Sequence, residues 1–111
     1  MKLLITVLNE PERLNKVLEN LEKNNVYGCT ILESKGMANE LLRNEEFAFF
    51  GMLRKCVKKE HASNTTLIIA LKDEKVEIAI KAIEEIVGDF DEPDTGVLMV
   101  LPIEYIKGIS K

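Results

Sequence analysis

The chain lacks any apolar run approaching the ~18 residues that a membrane-crossing helix needs, so no membrane insertion is expected. It has two cysteines, Cys29 and Cys56, too few for a disulfide framework, which suits a reducing, cytoplasmic setting. Its one histidine, His61, has no companions of the kind that a metal site requires. Basic residues are in the minority: 15 Lys and Arg stand against 19 Asp and Glu, for a net charge of −4. No overall positive field exists to hold a nucleic-acid backbone. CxxC, HExxH, a Ser-His-Asp set and a glycine-rich phosphate loop are all missing, so the chain is not expected to be an enzyme. The N-terminal stretch MKLLITVLNEPERLNK has no small-residue cleavage site and runs straight into a helix start, so it reads as mature structure. Repeats, low-complexity tracts and linkers are also missing.

What remains is ordinary globular usage, 46% hydrophobic and 31% charged over 111 residues, which predicts one domain spanning 1–111. Lys2 to Leu8 is a β-rich apolar run. Asn9 with Glu12 three residues on forms an Asn-x-x-Glu capping box, with Pro11 in the first turn. Leu14, Val17, Leu18 and Leu21 then repeat at the helical period over about 10–24, until Asn24, Asn25 and Gly28 break the pattern. Cys29 to Leu32 begins a second strand that runs into Glu33-Ser34-Lys35-Gly36. Residues 37–63 form a long excursion without one clear period, read as partly helical and as the most mobile part of the chain. Thr65 to Leu71 is a third strand. Asp73 is the expected cap of a helix striped with Val76, Ala79, Ile80, Ile83, Ile86 and Val87, and Gly88 suits its C-cap. An acidic loop follows, then a fourth strand over Gly96 to Leu101 and a short extended tail.

The order is β-α-β-(excursion)-β-α-β, the α+β, ferredoxin-like βαββαβ pattern with a four-stranded antiparallel sheet and a long loop between strands 2 and 3. Right-handed crossovers place both helices on one face of that sheet. Yet alternation along the strands sets Leu3, Ile5 and Val7 against Leu4 and Leu8, Leu67, Ile69 and Leu71 against Ile68 and Ala70, and Val97, Met99 and Leu101 against Leu98 and Val100, so both faces are apolar. A one-sided antiparallel sheet should alternate apolar with polar residues. Either neighbouring subunits cover the second face, the expected outcome, or the 37–63 excursion folds over it.

The stretch Gly28-Cys29-Thr30-Ile31-Leu32-Glu33-Ser34-Lys35-Gly36 resembles the G-x-T-x-x-E-x-K-G segment of PII nitrogen-regulatory proteins. The 37–63 segment sits where that family carries its T-loop, Leu67 to Ala82 is similar to its third strand and second helix, and Gly96 to Ile103 to its fourth strand. The resemblance covers nearly the whole chain. It implies a homotrimeric signal transducer that binds adenine nucleotide and 2-oxoglutarate in clefts between subunits and docks on a transporter or enzyme through the loop. By resemblance the ligand-binding residues are Lys35, Gly36, Glu40, Gly96 and Lys107. The usual phosphate-holding groups are replaced: Val97 stands at the strand-four lysine, Gly108 and Ser110 stand near the two arginines, and the acidic loop replaces the glycine-rich one. A triphosphate needs clustered N–H donors and cations. ATP binding by the usual route is therefore expected to be weak or absent, and no cofactor is assigned.

Two further clusters carry chemistry. Phe47, Phe49 and Phe50, followed by Arg54, Lys55, Lys58 and Lys59, give the excursion the aromatic and cationic groups of a partner-binding loop, although the rings could also pack on the protein's own body. Asp89, Asp91 and Asp94, with Glu92, are candidate oxygen ligands for a divalent cation. Their spacing misses the EF-hand pattern, and a solvated acidic turn is the simpler reading. They keep open a second function, that of a divalent-metal-binding protein of the cation-tolerance type.

Overall fold

A computed structural model describes residues 1–42, 63–93 and 95–109. The elements are β1 (Lys2–Leu8), α1 (Leu14–Lys23), β2 (Cys29–Ser34), α2 (Met37–Leu42), β3 (Asn64–Leu71), α3 (Val76–Val87) and β4 (Gly96–Pro102). The strands form one antiparallel sheet in the order β2-β3-β1-β4. β1 and β3 occupy the centre, and Leu4 lies opposite Ile69 while Ile5 lies opposite Ile68. This is the ferredoxin-like arrangement expected from the order of elements.

Both long helices lie on one face, and the core forms there. Leu4 and Leu8 of β1 and Leu67, Ile69 and Leu71 of β3 meet Val17 and Leu21 of α1 and Ala79, Ala82 and Ile83 of α3. Burying such side chains stabilises by about 1.5–3 kcal/mol each. Small Ala79 and Ala82 let the helices approach closely. Asn20 of α1 then bridges to α3, its Nδ2 donating to Ala82 O at 2.7 Å and to Glu85 Oε2 at 2.9 Å. Arg13 Nη1 donates to Ile86 O at 2.7 Å, satisfying a carbonyl that the end of α3 leaves open.

Both helix starts differ from the sequence expectation. The first turn is a 3-10 turn over Pro11–Arg13 with Glu10 at the N-cap position, and the Glu10 side chain makes no capping hydrogen bond. Pro11 favours this tight entry, because its ring fixes φ and it has no N–H to satisfy. The second starts as a 3-10 turn over Asp73–Lys75 with Lys72 as N-cap. Asp73 does not cap it; its carboxylate pairs with the Met1 ammonium at 3.0 Å. The helix ends follow expectation. Asn25 takes a positive φ of 60° after α1, and Gly88 ends α3 at φ 94° with its N–H on Glu84 O at 2.9 Å.

Thr6 departs from the apolar pattern of β1. It is fully buried on the helix side, and its hydroxyl donates to Val97 O at 3.0 Å, which removes the penalty for burying it. Of the 37–63 excursion, Met37–Leu42 is helical, in keeping with a partly helical reading. Residues 43–62 lie outside the described residues, and with them Phe47, Phe49, Phe50, Arg54, Lys55, Cys56, Lys58, Lys59 and His61.

Candidate functional site

The candidate ligand residues divide between the two ends of the sheet. At one end β1 finishes and β4 begins, with Leu8 opposite Gly96; β2 finishes and β3 begins there too, with Ser34 opposite Asn64. Lys35, Gly36, Glu40 and Gly96 belong to this end. Lys35 Nζ lies 4.0 Å from Glu40 Oε2, both groups being exposed, and Glu40 N–H donates to Gly36 O at 3.1 Å. An exposed pair at that separation contributes at most ~1 kcal/mol, so both charges remain open to exchange partners. The Ser34 and Thr66 hydroxyls meet at 2.7 Å close by.

Lys107 lies at the other end, beyond the finish of β4. β1 spans 7 residues. At ~3.3 Å per residue the two ends stand about 20 Å apart. One subunit therefore does not gather Lys107 with the other four residues.

A cavity of about 950 Å³ opens at the Lys107 end. Its walls come from the chain start, the loop after α1, the end of β3 with the 3-10 turn after it, and the tail beyond β4. Val26 and Leu71 form its buried floor, and Ile106 and Ile109 form one side. Lys72, Lys75 and Lys107 line it, and among the described residues no acidic side chain does. Sequence reasoning missed Lys72 and Lys75. The available signal was their spacing: three residues apart across a 3-10 turn puts two side chains in line. Lys75 N–H donating to Lys72 O at 2.9 Å closes that turn.

Two groups near this end have displaced acidities. Asp73 is held below the usual carboxylate range, first by its hydrogen bond from the Met1 ammonium and then by that group's charge. Cys29 is half-buried against the core at the start of β2, and this burial pushes its thiol up.

Gly96 has a structural reason to be glycine. Its φ is +135°, and a Cβ there would come 2.2 Å from Val7 O. For Gly36 the described residues give no such reason: a Cβ there would meet Asn64 Nδ2 at 3.5 Å, an ordinary contact. The acidic loop after α3 folds on itself: Asp89 Oδ1 accepts from Asp91 N–H at 2.8 Å, and Asp89 O accepts from Glu92 N–H at 3.0 Å. Asp89, Asp91 and Glu92 are exposed, and Asp94 lies outside the described residues. Among the described residues no three His, Cys, Asp or Glu side chains are grouped to hold a metal ion. No helix among them is long and apolar enough to cross a membrane.

A four-stranded ferredoxin-like sheet with one helix layer and a second apolar face defines a small α+β subunit. Comparison with known families matches residues 1–111 to the nitrogen regulatory protein P-II family, and the chain belongs to that family. It is thus a PII-like signal-transduction regulator. Comparison with curated proteins found no match.

Proposed function

We propose that the protein acts as a homotrimer, responds to a small molecule held in a cleft between subunits, and regulates a partner protein, a transporter or an enzyme, through residues 37–63. The sheet face without helices carries this reading. Leu3, Ile5, Val7, Ile68 and Ala70 run across its centre, and Val97, Met99 and Leu101 of β4 remain 53%, 43% and 41% exposed beside them. Soluble monomers rarely leave an apolar patch of this extent uncovered. The division of the ligand residues supports the inter-subunit cleft. A neighbour's opposite end must supply what each end of one subunit lacks. Val97 stands at the family's strand-four lysine and Gly108 near one of its arginines, which leaves Lys107 and Lys111 as the cations close by in sequence, so ATP is not expected to be the effector by the usual route.

Light scattering on the full chain should report about three times the 12.6 kDa subunit mass. A monomer at micromolar concentration would overturn the trimer. Ile5→Asp should break the assembly first, because Ile5 is half-buried on the open face rather than in the core. An aspartate there leaves an unpaired carboxylate at the centre of the contact, which costs several kcal/mol. For the partner, Phe49→Ala combined with Phe50→Ala should leave the melting temperature within about 2 °C and abolish capture of the target, since aromatic anchors dominate such contacts. A large loss of stability in that variant would place the rings in the protein's own core, where each truncation costs about 3–5 kcal/mol.

A further inference from the structure

From the cavity at the Lys107 end we infer that the protein binds a small amphipathic organic anion: a compact apolar body, aromatic or branched, bearing a single carboxylate. The inference rests on the reading of the protein as a ligand-responsive regulator for its consequence, not for the binding itself.

The size fits. At about 950 Å³ the cavity lies within the roughly 300–1,000 Å³ typical of small-molecule sites. The charge is selective. Acidic residues outnumber basic ones in the chain, 19 to 15, yet among the described residues three lysines and no acidic side chain line this cavity. The Met1 ammonium at its edge is already compensated by Asp73 at 3.0 Å, so among the described residues the three lysines are the cations left to receive an anion. Lys72 and Lys107 are exposed and Lys75 is half-buried, so the ammonium groups can meet a carboxylate without being stripped of water.

The walls decide the rest of the ligand. Val26 and Leu71 at the floor are 5% exposed each, whereas Ile106 and Ile109 on the tail are 38% and 48% exposed. An apolar body would cover those two isoleucines and remove surface that water now meets. Tyr27, 64% exposed at the rim, adds a ring face and a hydroxyl. Three point-charge lysines on flexible stems suit one carboxylate. They lack the planar fork of arginine and the helix N-terminal N–H groups that suit a polyphosphate. The tail supplies both Lys107 and the two exposed isoleucines, so a bound anion would fasten residues 106–109 to the start of the chain and to the turn after β3.

The test is a titration of the 15N-labelled full chain with 3-phenylpropionate, alongside 3-phenylpropanol, succinate and ATP. Shifts are expected at Val26, Tyr27, Leu71–Lys75 and Ile106–Ile109, saturating with 3-phenylpropionate. Its dissociation constant should rise at least tenfold in Lys75→Gln combined with Lys107→Gln, with an unchanged melting temperature. Equal affinity for the alcohol would overturn the need for an anion. Tighter binding of succinate or ATP at these residues would overturn the apolar body. Shifts confined to Ile5, Val97 and Met99 would place binding on the open sheet face and overturn the site. The assembly is read separately by mass: a monomer that binds 3-phenylpropionate at the cavity overturns the trimeric reading and leaves this one standing.

Discussion

Ile69→Asp is expected to unfold the subunit. Ile69 is fully buried, with Leu4 opposite it on β1 and Cys29 opposite it on β2. The only buried polar residues among those described are Thr6 and Thr65. Thr6 already spends its hydroxyl proton on Val97 O. Among the described residues no buried cation is available to pair with an aspartate there. An uncompensated buried charge costs about 3–5 kcal/mol, and loss of the isoleucine's packing adds about 2–5 kcal/mol. Small domains hold a total of about 5–15 kcal/mol. The far-UV circular dichroism melt should lose its cooperative transition. Ile69→Val, which costs about 0.5–1.5 kcal/mol, should keep it. A cooperative melt in Ile69→Asp would mean that this position is not in the core. The contrast with Ile5→Asp is informative, because the two residues are in neighbouring registers on the same pair of central strands and differ in which face they take.

Gly96→Ala should lower the melting temperature by roughly 10 °C or more. A residue other than glycine held at φ +135° stores about 1–3 kcal/mol of strain, and the new Cβ would lie 2.2 Å from Val7 O. Relief requires β4 to move away from β1 at the Leu8–Gly96 pair, where the β4 ladder begins. A loss of 2–3 kcal/mol corresponds to a shift of roughly 10–20 °C in a domain this small. Gly36→Ala is the matched control, at a position with ordinary backbone and a contact of 3.5 Å. It should shift stability by no more than about 0.5 kcal/mol. Paired thermal melts check both. If Gly36→Ala proved as damaging as Gly96→Ala, the steric distinction between them would fail. The resemblance to PII proteins assigned both glycines to ligand binding. The geometry gives Gly96 a separate reason to be there, and leaves Gly36 as the one whose substitution can report on a ligand without disturbing the fold.

The elements and their order were legible in the sequence because periodicity is a local property. Leu14, Val17, Leu18 and Leu21 can share a face only in a helix, and KLLITVL suits only a strand with two apolar faces. The second apolar face was equally legible, since side chains in a strand alternate whatever lies around them. The P-II resemblance was carried by residues 28–36, a contiguous run. Helix starts were not legible. Asn9 and Asp73 had the chemistry of caps, but Glu10 takes the N-cap position at one start and Asp73 pairs with the Met1 ammonium at the other. Nor was the cavity legible, because its walls come from residues 1, 25–27, 70–72, 75 and 106–109, which no short window spans. Only the sheet order β2-β3-β1-β4 brings the chain start, the end of β3 and the tail together, and it does so by the long-range pairing of Lys2 with both Leu71 and Pro102. The same pairing puts Lys107 at the end opposite Lys35, Gly36, Glu40 and Gly96. Local sequence set which segments become strands and helices. Which side chains meet was decided by strand pairing across the whole length of the chain, because a hydrogen-bonded ladder fixes neighbours without regard to their separation in sequence.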